Sequence, residues 1–91
     1  MKLVLSPTFT RTTKKIIKKN PSLSDSIRST LRLLEADHFH PQLKTHQLKG
    51  SLSGSMACSV AYDLRIIFEI IIEDSQQMIL LQTIGTHDEV Y

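Results

Sequence analysis

Arg65 interrupts an apolar strand. The stretch Tyr62-Asp63-Leu64-Arg65-Ile66-Ile67-Phe68 sets an always-charged guanidinium among residues that favour burial. After the next apolar run the chain delivers Gly85-Thr86-His87-Asp88-Glu89-Val90-Tyr91. A guanidinium offers a rigid fork of donors to an oxyanion, an imidazole titrates near neutrality, and a phenol both donates and accepts a hydrogen bond. An Arg on one strand with a His and a Tyr beyond the next is the equipment of a site that holds an anion or moves a proton.

The elements that must position these groups come from a chain of 91 residues, long enough for one core and too short for two. A single domain over residues 1–91 is expected. With 41% hydrophobic and 22% charged residues the chain falls among ordinary folded domains, which excludes wholesale disorder. Ile66 to Ile72, the longest apolar stretch, contains Glu69 and is far shorter than the ~20 residues of a membrane span. Met1 to Pro7 lack the apolar core and cleavage site of a signal peptide, so a cytoplasmic protein without a membrane association is expected. The lone Cys58 excludes an internal disulfide and reads as a buried, inert thiol.

Net charge is only +2, but it is unevenly spread. Lys2, Arg11, Lys14, Lys15, Lys18 and Lys19 all precede the first acid, Asp25. On a helix Lys14, Lys15, Lys18 and Lys19 share one broad face, which either attracts a phosphate backbone or acidic partner or serves as a solvated, solubilising surface.

Lys2 to Leu5 read as a strand, and Ser6-Pro7 as an N-cap with proline at the first helical position, opening a helix from about Thr8 to Lys19. Asn20-Pro21 stops it. Ser22 or Ser24 is the expected cap of a second helix to about Ala36, whose Leu23, Ile27, Leu31 and Leu34 form a buried stripe; the two helices are expected to pair antiparallel. Asp37 to Thr45 read as a loop. Its His38 and His40 have the spacing of metal ligands but no further ligand at a convincing distance, so no metal and no cofactor is expected. Strands then follow at His46 to Lys49, Met56 to Tyr62, Arg65 to Ile72 and Met78 to Ile84, with turns at Gly50 to Ser55 and Glu73 to Ser75. The order β-α-α-β-β-β(-β) predicts a two-layer α+β domain with both helices on one face of an antiparallel-rich sheet.

Three motifs in this order carry a family resemblance: His-x-Leu-x-Gly at His46 to Gly50, Asp-x-Arg-Ile-Ile-Phe at Asp63 to Phe68, and Ile-Gly-Thr-His-Asp-Glu-Val-Tyr at Ile84 to Tyr91. The chain resembles the RelE/ParE superfamily of bacterial toxins, and within it the YafQ-like branch. The resemblance implies a microbial RNase-like RelE fold. It also implies a ribosome-dependent endoribonuclease that cuts mRNA in the ribosomal A site and is held inactive by a cognate antitoxin in a hetero-oligomer. Ribosome and mRNA are then partners too.

Cleavage of this kind sends the 2'-hydroxyl against the adjacent phosphate, and needs a base, an acid for the leaving 5'-oxygen and positive charge for the phosphorane. The resemblance assigns His46 and His87 to proton transfer, Arg65 to the scissile phosphate, Asp63 to orienting a histidine and Tyr91 to stacking or hydrogen bonding. Under this reading Lys49 is expected to add charge beside the site, and Lys14, Lys15, Lys18 and Lys19 to contact RNA. The chain departs from the branch at Ala57 and Ser59, where an Asp and a His are usual, and at Met56, where a basic residue is common. Two alternatives follow: a ParE-like DNA gyrase poison, against which the histidine pair argues, and an antitoxin-binding member with weakened catalysis. Residue by residue, Arg65 has an alternative as a sheet-surface partner of Glu69 or Glu73, Asp63 as a turn former, and Tyr91 as a core-packing ring.

Overall fold

Ser6 joins the first strand to the first helix. Its side chain accepts the Phe9 amide at 3.0 Å as N-cap of the helix and donates to the Gln82 carbonyl at 3.0 Å, while its own amide donates to Leu81 O at 3.1 Å. Ser6→Ala is expected to cost about 1–2 kcal/mol, seen as a lower urea midpoint with an unchanged slope.

The computed structural model describes residues 1–91. In chain order it has β1 (Lys2–Leu5), α1 (Pro7–Lys19), α2 (Leu23–Ala36), β2 (His46–Gln47), β3 (Met56–Ala61), β4 (Leu64–Glu73), β5 (Gln76–Gly85) and α3 (His87–Val90), with short 3-10 turns at Pro41–Leu43 and Gly50–Leu52. The sheet order is β1-β5-β4-β3-β2. Phe9 of α1 and Ile27 and Leu34 of α2 pack in one core with Met56, Cys58, Ile66, Phe68, Ile79, Leu81 and Ile84, so both helices cover the same face of the sheet, as expected.

β1 pairs with β5 in parallel and the other three strand pairs are antiparallel, so the sheet is mixed but antiparallel-rich, as expected. Several other expectations need correction. Neither Ser22 nor Ser24 caps α2 through its side chain; Ser22 sits at the cap position in helical conformation and donates instead to Asn20 Oδ1 at 2.6 Å. β2 is only two residues long, because the chain turns into the 3-10 segment at Gly50. The 37–45 loop contains its own turn, Pro41–Leu43, which His40 caps by accepting the Gln42 amide at 3.1 Å. The β4–β5 turn is tightened by Asp74 and Ser75, both at positive φ (51° and 64°), which matches strand twist and lengthens both strands.

Register decides which side chains share the face opposite the helices. Directly paired residues point to the same side. Met56, Phe68 and Leu81 form one row toward the core, and Cys58, Ile66 and Ile84 another. On the opposite face, open only toward its edges since Ala57 and Ile67 are buried, His46, Ala57, Ile67 and Thr83 form one row, and Ser59, Arg65 and Gly85 the next. A bulge where Phe68 pairs with Leu81 and Ile67 with Thr83 makes this possible. Strict alternation from Leu81 would send Thr83 and Gly85 into the core; the extra residue in β5 returns Ile84 there and aims Gly85 at the opposite face. The segment after Gly85 therefore starts on the side that carries Arg65.

Candidate active site

A polar cleft of about 660 Å³ opens at the end of β3 and β4, lined by Ser59, Tyr62, Asp63, Arg65 and His87 with Gln42 and Lys44 from the preceding loop. Arg65 is half-buried and its Nη1 donates to the carbonyls of Ala61 and Leu64, each at 3.3 Å. No carboxylate pairs with it; the only ion pair in the molecule joins His87 and Asp88, so the Glu69 or Glu73 partnership does not form. Its charge remains available to an incoming anion, in a setting that water screens only partly.

The bulge alone does not hold the site together; a short C-terminal helix does. Thr86 accepts the Glu89 amide at 3.3 Å while the Glu89 carboxylate accepts the Thr86 amide at 2.8 Å, a reciprocal capping box that closes α3. Gly85 lets this turn approach closely, since a Cβ there would stand 3.1 Å from Glu89 Oε1 and from Val90 Cγ1. Asp63, at φ 55° in the β3–β4 turn, reaches across with Oδ1 to accept the main-chain amide of His87 at 3.3 Å. Asp63 thus shapes a turn and ties the start of α3 to the cleft; its contact with His87 is through the backbone, not the imidazole.

His87 is 63% exposed in its side chain, with Nδ1 3.5 Å from Asp88 Oδ1, and its ring meets the Tyr91 ring edge to face at 4.4 Å. Tyr91 in turn extends its hydroxyl to 3.4 Å from His46 Nε2, while His46 Nδ1 lies 3.2 Å from the Lys44 carbonyl. A carbonyl only accepts, so this contact calls for a proton on His46 Nδ1, and in the neutral ring Nε2 is then the acceptor for the Tyr91 hydroxyl. Burial pushes the Tyr91 phenol above its ordinary value against the lowering pull of Arg65, which keeps it a neutral donor at physiological pH. The three aromatic site residues form one chain, His46 to Tyr91 to His87, although only His87 lines the cleft with Arg65.

Hydrogen bonds from Thr86, main chain first and then side chain, hold the Glu89 carboxyl below its ordinary value. The stabilisation it lends α3 is therefore fully present above the ordinary carboxylate pKa and is lost as pH falls through the lowered one. In acid α3 is expected to fray while the sheet persists, seen as loss of the His87–Tyr91 ring contact in NMR spectra before global unfolding. Thr86→Ala is expected to produce the same fraying at neutral pH.

Lys15, Lys18 and Lys19 line a groove between α1 and Glu89 of α3, so the lysine face abuts the helix that bears His87. Lys14 lies outside that groove, and Lys49, ahead of the 3-10 turn, lines neither it nor the cleft. Cys58 is fully buried and burial pushes its thiol up to about 12, which makes it inert at neutral pH. The sequence reading missed Lys44 and Tyr62 as cleft residues. Lys44 is placed by its left-handed conformation (φ 52°) after the 3-10 turn, and no residue pattern announces it. Tyr62 could have been found, as the aromatic at a hairpin tip beside Asp63.

Comparison with known proteins adds to this geometry. Over residues 1–91 the chain matches the family described as the bacterial toxin of type II toxin-antitoxin systems, YafQ. No curated protein sequence matches it significantly. Among solved structures, a YoeB/ParE toxin from Agrobacterium tumefaciens superposes with TM-score 0.79 at 18% identity, over 96% of this chain and 99% of that one. YafQ from Escherichia coli gives TM-score 0.78 at 19% identity, over 98% and 96%. The E. coli DinJ-YafQ complex gives 0.77 at 20% identity, over the same shares of 98% and 96%. At these identities the likeness establishes a common fold.

Proposed function

Because the chain belongs to the YafQ family of bacterial toxins of type II toxin-antitoxin systems, whose RelE-like members are endoribonucleases, we propose that it cuts mRNA on the ribosome with Arg65 and His87 at the reacting phosphate. The observation that carries this reading is an Arg65 without a carboxylate partner sharing one cleft with His87. The 2'-hydroxyl oxygen forms a bond to the adjacent phosphorus as its proton leaves to a base. The bond from phosphorus to the 5'-oxygen breaks and that oxygen takes a proton from an acid. The products are a 2',3'-cyclic phosphate and a 5'-hydroxyl. Arg65 stabilises the charge that builds on the phosphorane oxygens, and His87 carries one of the two proton transfers. Tyr91 supports the His87 ring at its edge, and His46 is a positioning residue acting through the Tyr91 hydroxyl. Asp63 holds the backbone of His87 in place. The α1 lysines bind the RNA that surrounds the cleft, three of them from the groove beside α3.

A cognate antitoxin as partner is supported by the DinJ-YafQ and YoeB-YefM complexes among the structures of the same fold. No helix of this chain is long and apolar enough to cross a membrane. The second reading, an antitoxin-binding member with weakened cleavage, draws on register: Ala57 stands directly opposite His46, and Ser59 opposite Arg65, so both departures fall on the rows of the site itself.

Inducible expression is expected to arrest growth, with new 5' ends inside translated codons in primer extension, and co-expression of the adjoining antitoxin is expected to relieve the arrest. Arrest without new 5' ends favours a gyrase poison or another binding mode, and neither arrest nor new 5' ends favours the second reading.

A further inference from the structure

Tyr62 stands at the tip of the β3–β4 turn with its side chain fully exposed (101%) and lines the same cleft as Arg65 and His87. A large aromatic ring that packs against nothing contributes no burial to the fold, yet here it lines the cleft that also holds Arg65, Lys44 and His87. Lys44 lines that cleft too, and it lines a second groove of about 580 Å³ that runs between α2 and β3 past Ser29 and Thr30. The two grooves meet at Gln42, Lys44, Ser59 and Val60, while Tyr62, Asp63, Arg65 and His87 belong to the first alone. Lys44 has no ion-pair partner.

An exposed ring, an unpaired guanidinium and an unpaired ammonium along one continuous channel match the repeating chemistry of single-stranded RNA, in which flat bases alternate with phosphates. Resting on the ribonuclease reading, we infer that Tyr62 is a stacking platform for the base flanking the phosphate held by Arg65, and that Lys44 binds the next phosphate as the strand passes into the second groove. Stacking on Tyr62 is indifferent to base identity, so this subsite contributes affinity more than sequence preference.

The test is binding of a 2'-O-methylated trinucleotide, which cannot be cut, to the purified full chain, followed by NMR on the Tyr62 ring. Tyr62→Ala is expected to weaken binding about 5- to 150-fold, the stacking contribution of one base, while Tyr62→Phe stays within about threefold of wild type because the π-face is kept. Lys44→Gln is expected to lower the slope of log affinity against log salt by about 0.7, the value for one phosphate on a single strand, and Tyr62→Ala to leave the slope unchanged. Both side chains are exposed, so the variants keep the wild-type melting temperature. Equal binding by wild type and Tyr62→Ala overturns the inference, as does a Tyr62→Phe as weak as Tyr62→Ala. Displacement of the Tyr62 ring signals by an acidic hexapeptide but not by the trinucleotide overturns it as well, and assigns the surface to a protein partner. The outcomes separate from those of the parent reading: a chain that binds the trinucleotide through Tyr62 but never cuts transcripts retains the subsite and loses the nuclease. A chain that cuts with Tyr62 dispensable does the reverse.

Discussion

His87→Ala is expected to lower the rate of transcript cleavage in a purified translation system by roughly 10²–10⁴, the usual contribution of a positioned acid or base. His87 is the only histidine lining the cleft with Arg65, and its exposure lets the ring reach a bound phosphate. The substitution leaves the supports of α3 intact, because the capping box is made by Thr86 and Glu89 and the Asp63 contact is to the backbone amide. Loss of rate with an unchanged melting temperature is therefore the expected pair of results. The effect of His46→Ala is expected to be smaller and to match that of Tyr91→Phe, since each removes one end of the same hydrogen bond. The double variant is then no worse than either alone. Cleavage by His87→Ala within a few-fold of wild type would remove this residue from the chemistry and shift proton transfer to the His46–Tyr91 pair.

Arg65→Ala is expected to reduce cleavage by about 10²–10³, the range for deleting one preorganised donor to a developing oxyanion. Arg65→Lys is expected to recover little. A lysine carries the charge but lacks the planar fork, and a guanidinium that binds the Ala61 and Leu64 carbonyls through one nitrogen still presents its other donors to a phosphate. The same variant has a readout independent of catalysis. Arg65 holds the Tyr91 phenol down against burial, so its removal is expected to move the phenol titration to still higher pH in ultraviolet spectra. An unmoved Tyr91 titration together with undiminished cleavage would place Arg65 outside the site and return it to a sheet-surface role.

The residue types of the site were legible before the fold was known because each is out of place in its segment. Arg65 sits in an apolar strand, and His87 and Tyr91 follow the last one. Thr86-x-x-Glu89 was legible too, as a capping box, and would have revealed α3; a single helical turn is easily passed over when no apolar periodicity accompanies it. The helices, the strand order in the chain and the buried stripe of α2 follow from local rules of periodicity and capping, which act over a few residues and are written in the sequence directly.

What the sequence by itself determined is thus the two long helices and the run of strands, the candidate site residues Arg65, His46, His87 and Tyr91, and through three short motifs the family. What only the tertiary structure decided is the pairing across the sheet and what that pairing brings together. Whether β1 runs parallel to β5, whether Ala57 and Ser59 lie on the site's own rows, and whether His87 or His46 shares the cleft with Arg65 all depend on register between segments far apart in the chain. A single bulge in β5 turns Gly85 and everything after it from the core to the opposite face. Side chains alternate with a period of two, so one inserted residue reverses the face of all that follow, and its position is set by how the strands pack rather than by any local preference of Gln82 or Thr83.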